Sequence, residues 1–321
     1  MAPNIAVVGC GQWGQNHVRT LAELRCLGGV ADQDASRAAG FAEKHNVRAL
    51  SLDEAIESDE IEALVLALPA RLHGPTARRA FAAGKDVLIE KPIALDYEDA
   101  KLTAKTAEEH GRLLMVGHVL RFHPVFRRLS ELVSSGKIGT VRHLIANRLG
   151  LGRFLGMDAI WDLAPHDLSL ILHLAGDHPD TIRCKRRTVL SDEADIGDMS
   201  FTFKNGVTAD VHVSRVSPYR DRRFVAIGTE GMLVFDDLAP ENEKLGFYGH
   251  KVWPSTKGFD FANAPVEHID YEAGLPLTNE LLHFIDCVKD RTTPETGADE
   301  AVETVRILAQ VSPVKESDHF D

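Results

Sequence analysis

The chain has 321 residues, a length that suits two domains or one large one and can bury a sizeable core without disulfides or a structural metal. Hydrophobic residues make up 44% and charged residues 26%, the composition of an ordinary globular protein. Asp and Glu number 48 against 36 Lys and Arg, a net charge of −12, which argues against nucleic-acid or anionic-membrane partners but leaves room for a small anion held by local cations.

Cys10, Cys26, Cys184 and Cys287 are scattered, with neither a CxxC nor zinc-like spacing. The start runs straight into an apolar strand pattern without a basic leader. No stretch reaches the roughly 18 apolar residues of a membrane span. The expectation is a reduced, cytoplasmic, soluble protein.

In chain order, Ile5–Val8 reads as a strand and residues 15–25 as a helix. Residues 28–31 are a strand ending on Asp32, and Ala35–His45 a helix. Strand 64–68 stops at Pro69, helix 76–83 closes at Gly84, and strand 86–89 leads into Glu90-Lys91-Pro92. Helix 100–110 ends at Gly111, and 113–116 is a further strand. This alternation predicts βαβ units and a doubly wound parallel sheet of the Rossmann kind.

After about residue 120 the pattern changes. Strands are expected at 138–149, 181–190, 199–203, 207–213, 224–227 and 233–235, with Asn205-Gly206 as a hairpin turn. A long helix at 162–174 interrupts them. Residues 241–265 read as a loop rich in Gly, Pro and aromatics, and 279–289 and 299–310 as helices. The expected second domain is α+β, with a large, mainly antiparallel sheet. The division falls at 1–120 and 121–321, the terminal helix being free to pack back on the first domain.

Gly9, Gly11 and Gly14 form GxGxxG between the first strand and first helix, with Gln12 and Trp13 inside the motif. The first glycine allows the tight turn, the second lets backbone approach a pyrophosphate, and the third lets helix pack on strand. Asp32 closes the next strand, where its carboxylate can accept from the ribose hydroxyls of NAD and repel the 2′-phosphate of NADP, so NAD is favoured. Arg37 lies just beyond and offers NADP a partner. Leu68, Pro69 and His73 fall at the sheet edge where ligands of this fold bind, as does His118. No convergent set of metal ligands is expected.

Glu90-Lys91-Pro92, at its distance from the glycine loop, resembles the signature of the glucose–fructose oxidoreductase / inositol dehydrogenase / MocA (Gfo/Idh/MocA) family, and the resemblance covers essentially the whole chain. It implies an NAD-binding domain, a C-terminal sheet that often forms the contact of a homo-oligomer, a cis bond at Pro92, and a catalytic Lys91. The family's Asp-x-x-x-His element is matched by Asp162 and His166, four apart and on one face of a helix, with Pro165 suited to a first turn.

Oxidising a secondary alcohol sends a hydride to the nicotinamide and a proton to a base. An imidazole, with an unperturbed pKa of about 6.5, suits the acceptor, and a lysine ammonium suits the growing oxyanion. Asp162 would orient the site or bind a neighbouring hydroxyl. Members of the family divide the base role between Lys and His differently, so the division between Lys91 and His166 stays open.

The run from Trp161 to Ser169, with His212-Val213-Ser214, Ser217-Pro218-Tyr219, Arg222, the stretch Gly228 to Met232 and Phe235-Asp236-Asp237, resembles one branch. That branch holds dehydrogenases that oxidise the C3 hydroxyl of UDP-N-acetylglucosamine or its uronic acid, for later amination in lipid A or surface-polysaccharide sugar synthesis. Arg215 stands where the branch usually has Trp. Arg148, Arg153 and Arg222 are candidates for holding a diphosphate. The alternatives are a dehydrogenase of a free polyol or simple sugar, a non-catalytic NAD-binding regulator, and an enzyme using retained NAD as a transient redox group.

Overall fold

The computed structural model describes residues 2–152 and 157–314. They form two compact units, the first from residues 2–122 and Leu275–Ala309, the second from His123–Gly274 and the residues from Gln310 onward.

The first unit is a six-stranded sheet of β1 (Ile5–Val8), β2 (Leu27–Ala31), β3 (Arg48–Leu50), β4 (Ala63–Leu66), β5 (Asp86–Glu90) and β6 (Leu114–Gly117). Their order is β3-β2-β1-β4-β5-β6 and every pair is parallel. Helices α1 (Gly14–Glu23), α2 (Ala35–His45), α3 (Leu52–Glu57), α4 (His73–Ala82) and α5 (Tyr97–Glu109) connect them. The central strands β1, β4 and β5 are buried at every position, as a parallel sheet covered on both faces requires. Strand order reverses at β1, so the carboxyl ends of β1 and β4 flank a topological switch point. The parallel topology brings the glycine loop, Asp32, Leu68, Lys91 and His118 to one edge of the sheet.

The second unit opens with α6 (Pro124–Ser134), capped by the His123 ring, and carries α7 (Ala159–Ala175). Its sheet runs β16-β13-β12-β11-β7-β10-β9-β8. The strands are β7 (Val141–Leu151), β8 (Pro179–Arg187), β9 (Ile196–Phe203), β10 (Thr208–Ser214), β11 (Val216–Gly228), β12 (Met232–Asp236), β13 (Leu245–Tyr248) and β16 (Glu267–His268). All pairs are antiparallel except β7 with β10, because the chain crosses α7, β8 and β9 before returning beside β7. β9 and β10 meet as the expected hairpin, with Gly206 at φ 85°. Leu144, Ala146, Val211, Phe224 and Phe235 form the buried face, the side on which α6 and α7 pack.

Helices α8 (Pro276–Asp290) and α9 (Ala298–Val311) follow. Leu281, Phe284, Ile285 and Val288 of α8 enter one core cluster with Ile5, Val7, Leu21 and Val65.

Three readings of the sequence need correction. Residues 241–265 are not a loop: they hold β13 and a separate two-stranded hairpin of β14 (His250–Ser255) and β15 (Gly258–Asn263). Val252 pairs with Phe261 and Pro254 with Phe259, so the apolar residues do alternate. The surrounding Gly and Pro hide that period. The short β3 and α3 went unseen, although Ser51 and Glu54 form a capping box that announces the helix. α7 starts at Ala159, which puts Pro165 inside the helix and not in its first turn. Its ring leaves the Trp161 carbonyl without the usual i→i−4 donor.

Candidate active site

At the end of β1 the loop is closed on its protein side. Gly9 has φ 94°, and a Cβ there would lie 2.5 Å from the Ala67 carbonyl oxygen; one on Gly14 would lie 1.8 Å from that of Gly9. A Cβ on Gly11 would meet nothing within 4 Å. Helix α1 has no side-chain cap and no acid in its first turn, so its amide groups and dipole suit an anion. Gln12 and Trp13 are exposed beside it.

Asp32 is fixed at the end of β2. It accepts from the Cys10 amide (2.7 Å) and the Asp34 amide (2.9 Å), and Arg37 Nη1 lies 3.2 Å away. Burial, helped by the Asp32 charge, pushes the Cys10 thiol up to about 11 and keeps it inert. An open backbone at Gly11 and a held carboxylate at Asp32 together fit the pyrophosphate and ribose of NAD. Arg37 partly neutralises the charge that would oppose a 2′-phosphate.

Leu68 is half-buried and Pro69 exposed at the end of β4, whereas His73 is buried. Its Nδ1 lies 2.8 Å from the Pro92 carbonyl and its Nε2 2.8 Å from the Leu68 carbonyl. Burial pushes its pKa down against both contacts. Both ring nitrogens of His73 thus face backbone carbonyls, and the neutral ring donates to one of the two.

Lys91 follows β5, half-buried, and its bond to Pro92 is cis. Glu90 beside it is a junction: it accepts from the Trp13 indole, from His17 Nε2 (2.7 Å) and from the Lys91 amide (3.2 Å). Burial pushes its carboxyl up, but the bonds from His17 and Trp13 and the charge of Lys91 outweigh it and bring it below the usual range. His118 at the end of β6 is buried, with no hydrogen-bond partner at either ring nitrogen. Burial and then Arg121 push it down to about 3, so the ring is neutral. His17 was not a candidate from sequence. Its signal was a polar residue on the stripe Gly14, Val18 and Leu21 that α1 buries.

In the second unit, Asp158 caps α7 by accepting from the Trp161 amide (2.8 Å). Asp162 and His166 stand four apart within the helix, both half-buried. Asp167 is buried and holds Arg148 of β7 by two bonds, 2.8 and 2.7 Å. Arg148 is thus engaged by the protein itself through Nε and Nη2. Arg222 keeps a more open side chain, 3.7 Å from Asp237. Burial, then Arg148 and Arg220, pushes its pKa down, the mark of a locally positive field. Arg153 lies outside the described residues. Arg215 is a buried brace: it pairs with Asp195 (2.8 Å) and donates to the Met157 carbonyl (2.5 Å) and Ser191 Oγ (2.8 Å). Among the described residues, no three His, Cys, Asp or Glu come together as a metal site. No described helix is long and apolar enough to cross a membrane.

Residues 3–118 match the family described as "Oxidoreductase family, NAD-binding Rossmann fold", and residues 126–234 match the GFO/IDH/MocA C-terminal domain. The chain is 35% identical over 212 residues to a UDP-N-acetylglucosamine 3-dehydrogenase of Acidithiobacillus ferrooxidans; the match spans 65% of this chain and 66% of that relative. It is 31% identical over 227 residues to an inositol 2-dehydrogenase of Saccharopolyspora erythraea, covering 66% of this chain and 67% of the other. The solved structure of the A. ferrooxidans enzyme superposes with a TM-score of 0.83 at 28% identity, over 96% of both chains. With both of its domains matched, the chain belongs to the Gfo/Idh/MocA family of oxidoreductases and carries that family's NAD-binding Rossmann domain.

Proposed function

We propose that this oxidoreductase uses NAD to oxidise the C3 hydroxyl of a UDP-N-acetylglucosamine-type sugar nucleotide to the 3-keto sugar. The observation that carries the reading is the likeness to the A. ferrooxidans 3-dehydrogenase, in sequence and along nearly the whole fold. The inositol dehydrogenase relative supports a second reading, a free polyol as substrate.

The glycine loop and the start of α1 hold the pyrophosphate, and Asp32 holds the ribose hydroxyls. Bound NAD supplies the hydride acceptor. His166 takes the alcohol proton, Asp162 orients it or a neighbouring hydroxyl, and the Lys91 ammonium stabilises the oxyanion as it forms. Neutral His118 and Glu90 line the cofactor side, and Arg222 attracts the diphosphate. We also infer a homo-oligomer formed through the open face of the large sheet.

NADH absorbance is followed with UDP-N-acetylglucosamine, its uronate and myo-inositol, with a coupled aminotransferase and glutamate to draw off a 3-keto product. Turnover with a UDP-sugar is expected. Turnover with the polyol alone sinks the lead reading. Lys91→Ala and His166→Ala are each expected to lower kcat by about 10²-fold or more, and full activity in either refutes its role.

A further inference from the structure

Inside the first unit a second carboxyl lies within reach of the charge of Glu90. Glu280, on α8, has no solvent exposure, and neither of its oxygens has a hydrogen-bond partner. α8 packs chiefly against α1 and the turn Val119–Phe122. The charged or titratable groups of those elements are His17, Arg19, Glu23 and Arg121. His17 turns Nε2 to Glu90, Arg19 bonds Asn16 at the surface, and Arg121 pairs with Glu300. Among the described residues Glu280 makes no ion pair.

Of two neighbouring buried carboxyls, one that lacks both donors and a counter-charge does not ionise. The donors decide which one does. Glu90 accepts from Trp13, His17 and the Lys91 amide, whereas Glu280 has no donor and keeps the proton. We propose that Glu280 is a positioning residue for Lys91: as the protonated member of a pair carrying one charge, it confines that charge to Glu90, the group that ties the phosphate loop to the Lys91 backbone. Ionising Glu280 would set a second charge against Glu90 and loosen those bonds. The proposal rests on reading the glycine loop and Lys91 as the cofactor site.

The sign of the linkage follows from burial and from Glu90, which push the Glu280 carboxyl well above its ordinary range. Its contribution to stability is full below that ordinary range and is lost as pH rises toward the raised value. A glutamine of the same shape escapes that loss.

The test uses the full chain, with Glu280→Gln and, as a second variant, the apolar Glu280→Met. In urea unfolding without cofactor, the folding constant of either variant relative to wild type is expected to rise by up to about tenfold per pH unit above the ordinary carboxyl range. Infrared spectra of the wild type near neutral pH should show a protonated carboxyl band that both variants lack. NAD titrated by tryptophan fluorescence should bind wild type at least about threefold more weakly as ionisation of Glu280 sets in, with little change in Glu280→Gln. A stability difference flat with pH, or no such infrared band, overturns the protonated pair. Equal pH dependence of NAD binding in wild type and Glu280→Gln overturns the positioning role. Failure of wild type to bind NAD overturns the cofactor reading and the role built on it, while unfolding and infrared still decide where the proton sits.

Discussion

Asp32 shows how much of a site one carboxylate can define. Its two amide donors and Arg37 hold it in place before any ligand arrives. Replacing it removes a charge-assisted acceptor, an interaction of about 1.5–3 kcal/mol. Asp32→Ser is therefore expected to weaken NAD by about 10- to 100-fold and NADP by much less, measured by titrating each cofactor. Equal losses for both would refute the ribose assignment. The place of Asp32 was legible because the second strand of the sheet is an apolar run that stops on it. The protein contacts of His73 and Arg148 were not legible for one shared reason: sequence shows a residue's chemistry but not whether the fold has already engaged it. The ring nitrogens of His73 face two carbonyls, and Arg148 is held by Asp167. His17 and Glu280 went unseen because helical spacing places them among core positions, where an apolar side chain is the default expectation.

Helix α7 is anchored at its start as well as along its length. Asp158 accepts from the Trp161 amide and from the Ser312 hydroxyl, and the Trp161 indole donates to the Ser312 carbonyl (2.7 Å). These bonds fix the first turn, which carries Asp162, with His166 one turn further on. Asp158→Ala is expected to destabilise the protein by about 1–2 kcal/mol in urea unfolding, with kcat falling more than NAD affinity. Unchanged stability would show that the cap is not needed. The strands of the parallel sheet were legible because each is an unbroken apolar run between turn signals. The β14–β15 hairpin was not, because its apolar residues stand on a pair of strands exposed everywhere except at the ends of β14. Burial gave its pattern no contrast, and Pro254 reads as a breaker although an outlying strand tolerates it.

The net charge of −12 belongs to the molecule as a body and does not describe local clusters of the other sign, such as Arg222 with Arg148 and Arg220 near it. The large sheet is covered on one face by α6 and α7. On the other, Ile145 is paired with Val225, Val225 with Val234, and Ile227 with Met232, all half-buried. This run of adjacent apolar side chains supports self-association. Sedimentation equilibrium is expected to give a dimer or tetramer, and Val225→Lys to shift it toward monomer, since a lysine brought inside an apolar contact loses its hydration. A wild-type monomer at all concentrations would refute the interface.

The first unit is discontinuous in sequence, and this orders its birth on the ribosome. The second unit is an insertion between Phe122 and Leu275. When β1 to β6 have emerged, the places of Leu281, Phe284 and Val288 among Ile5, Val7 and Leu21 are still unfilled. The inserted unit is synthesised in full before α8 can fill them. A chain cut short ahead of α8 lacks that part of its core, so the sheet of the first unit stays open on one side until the inserted unit has been made.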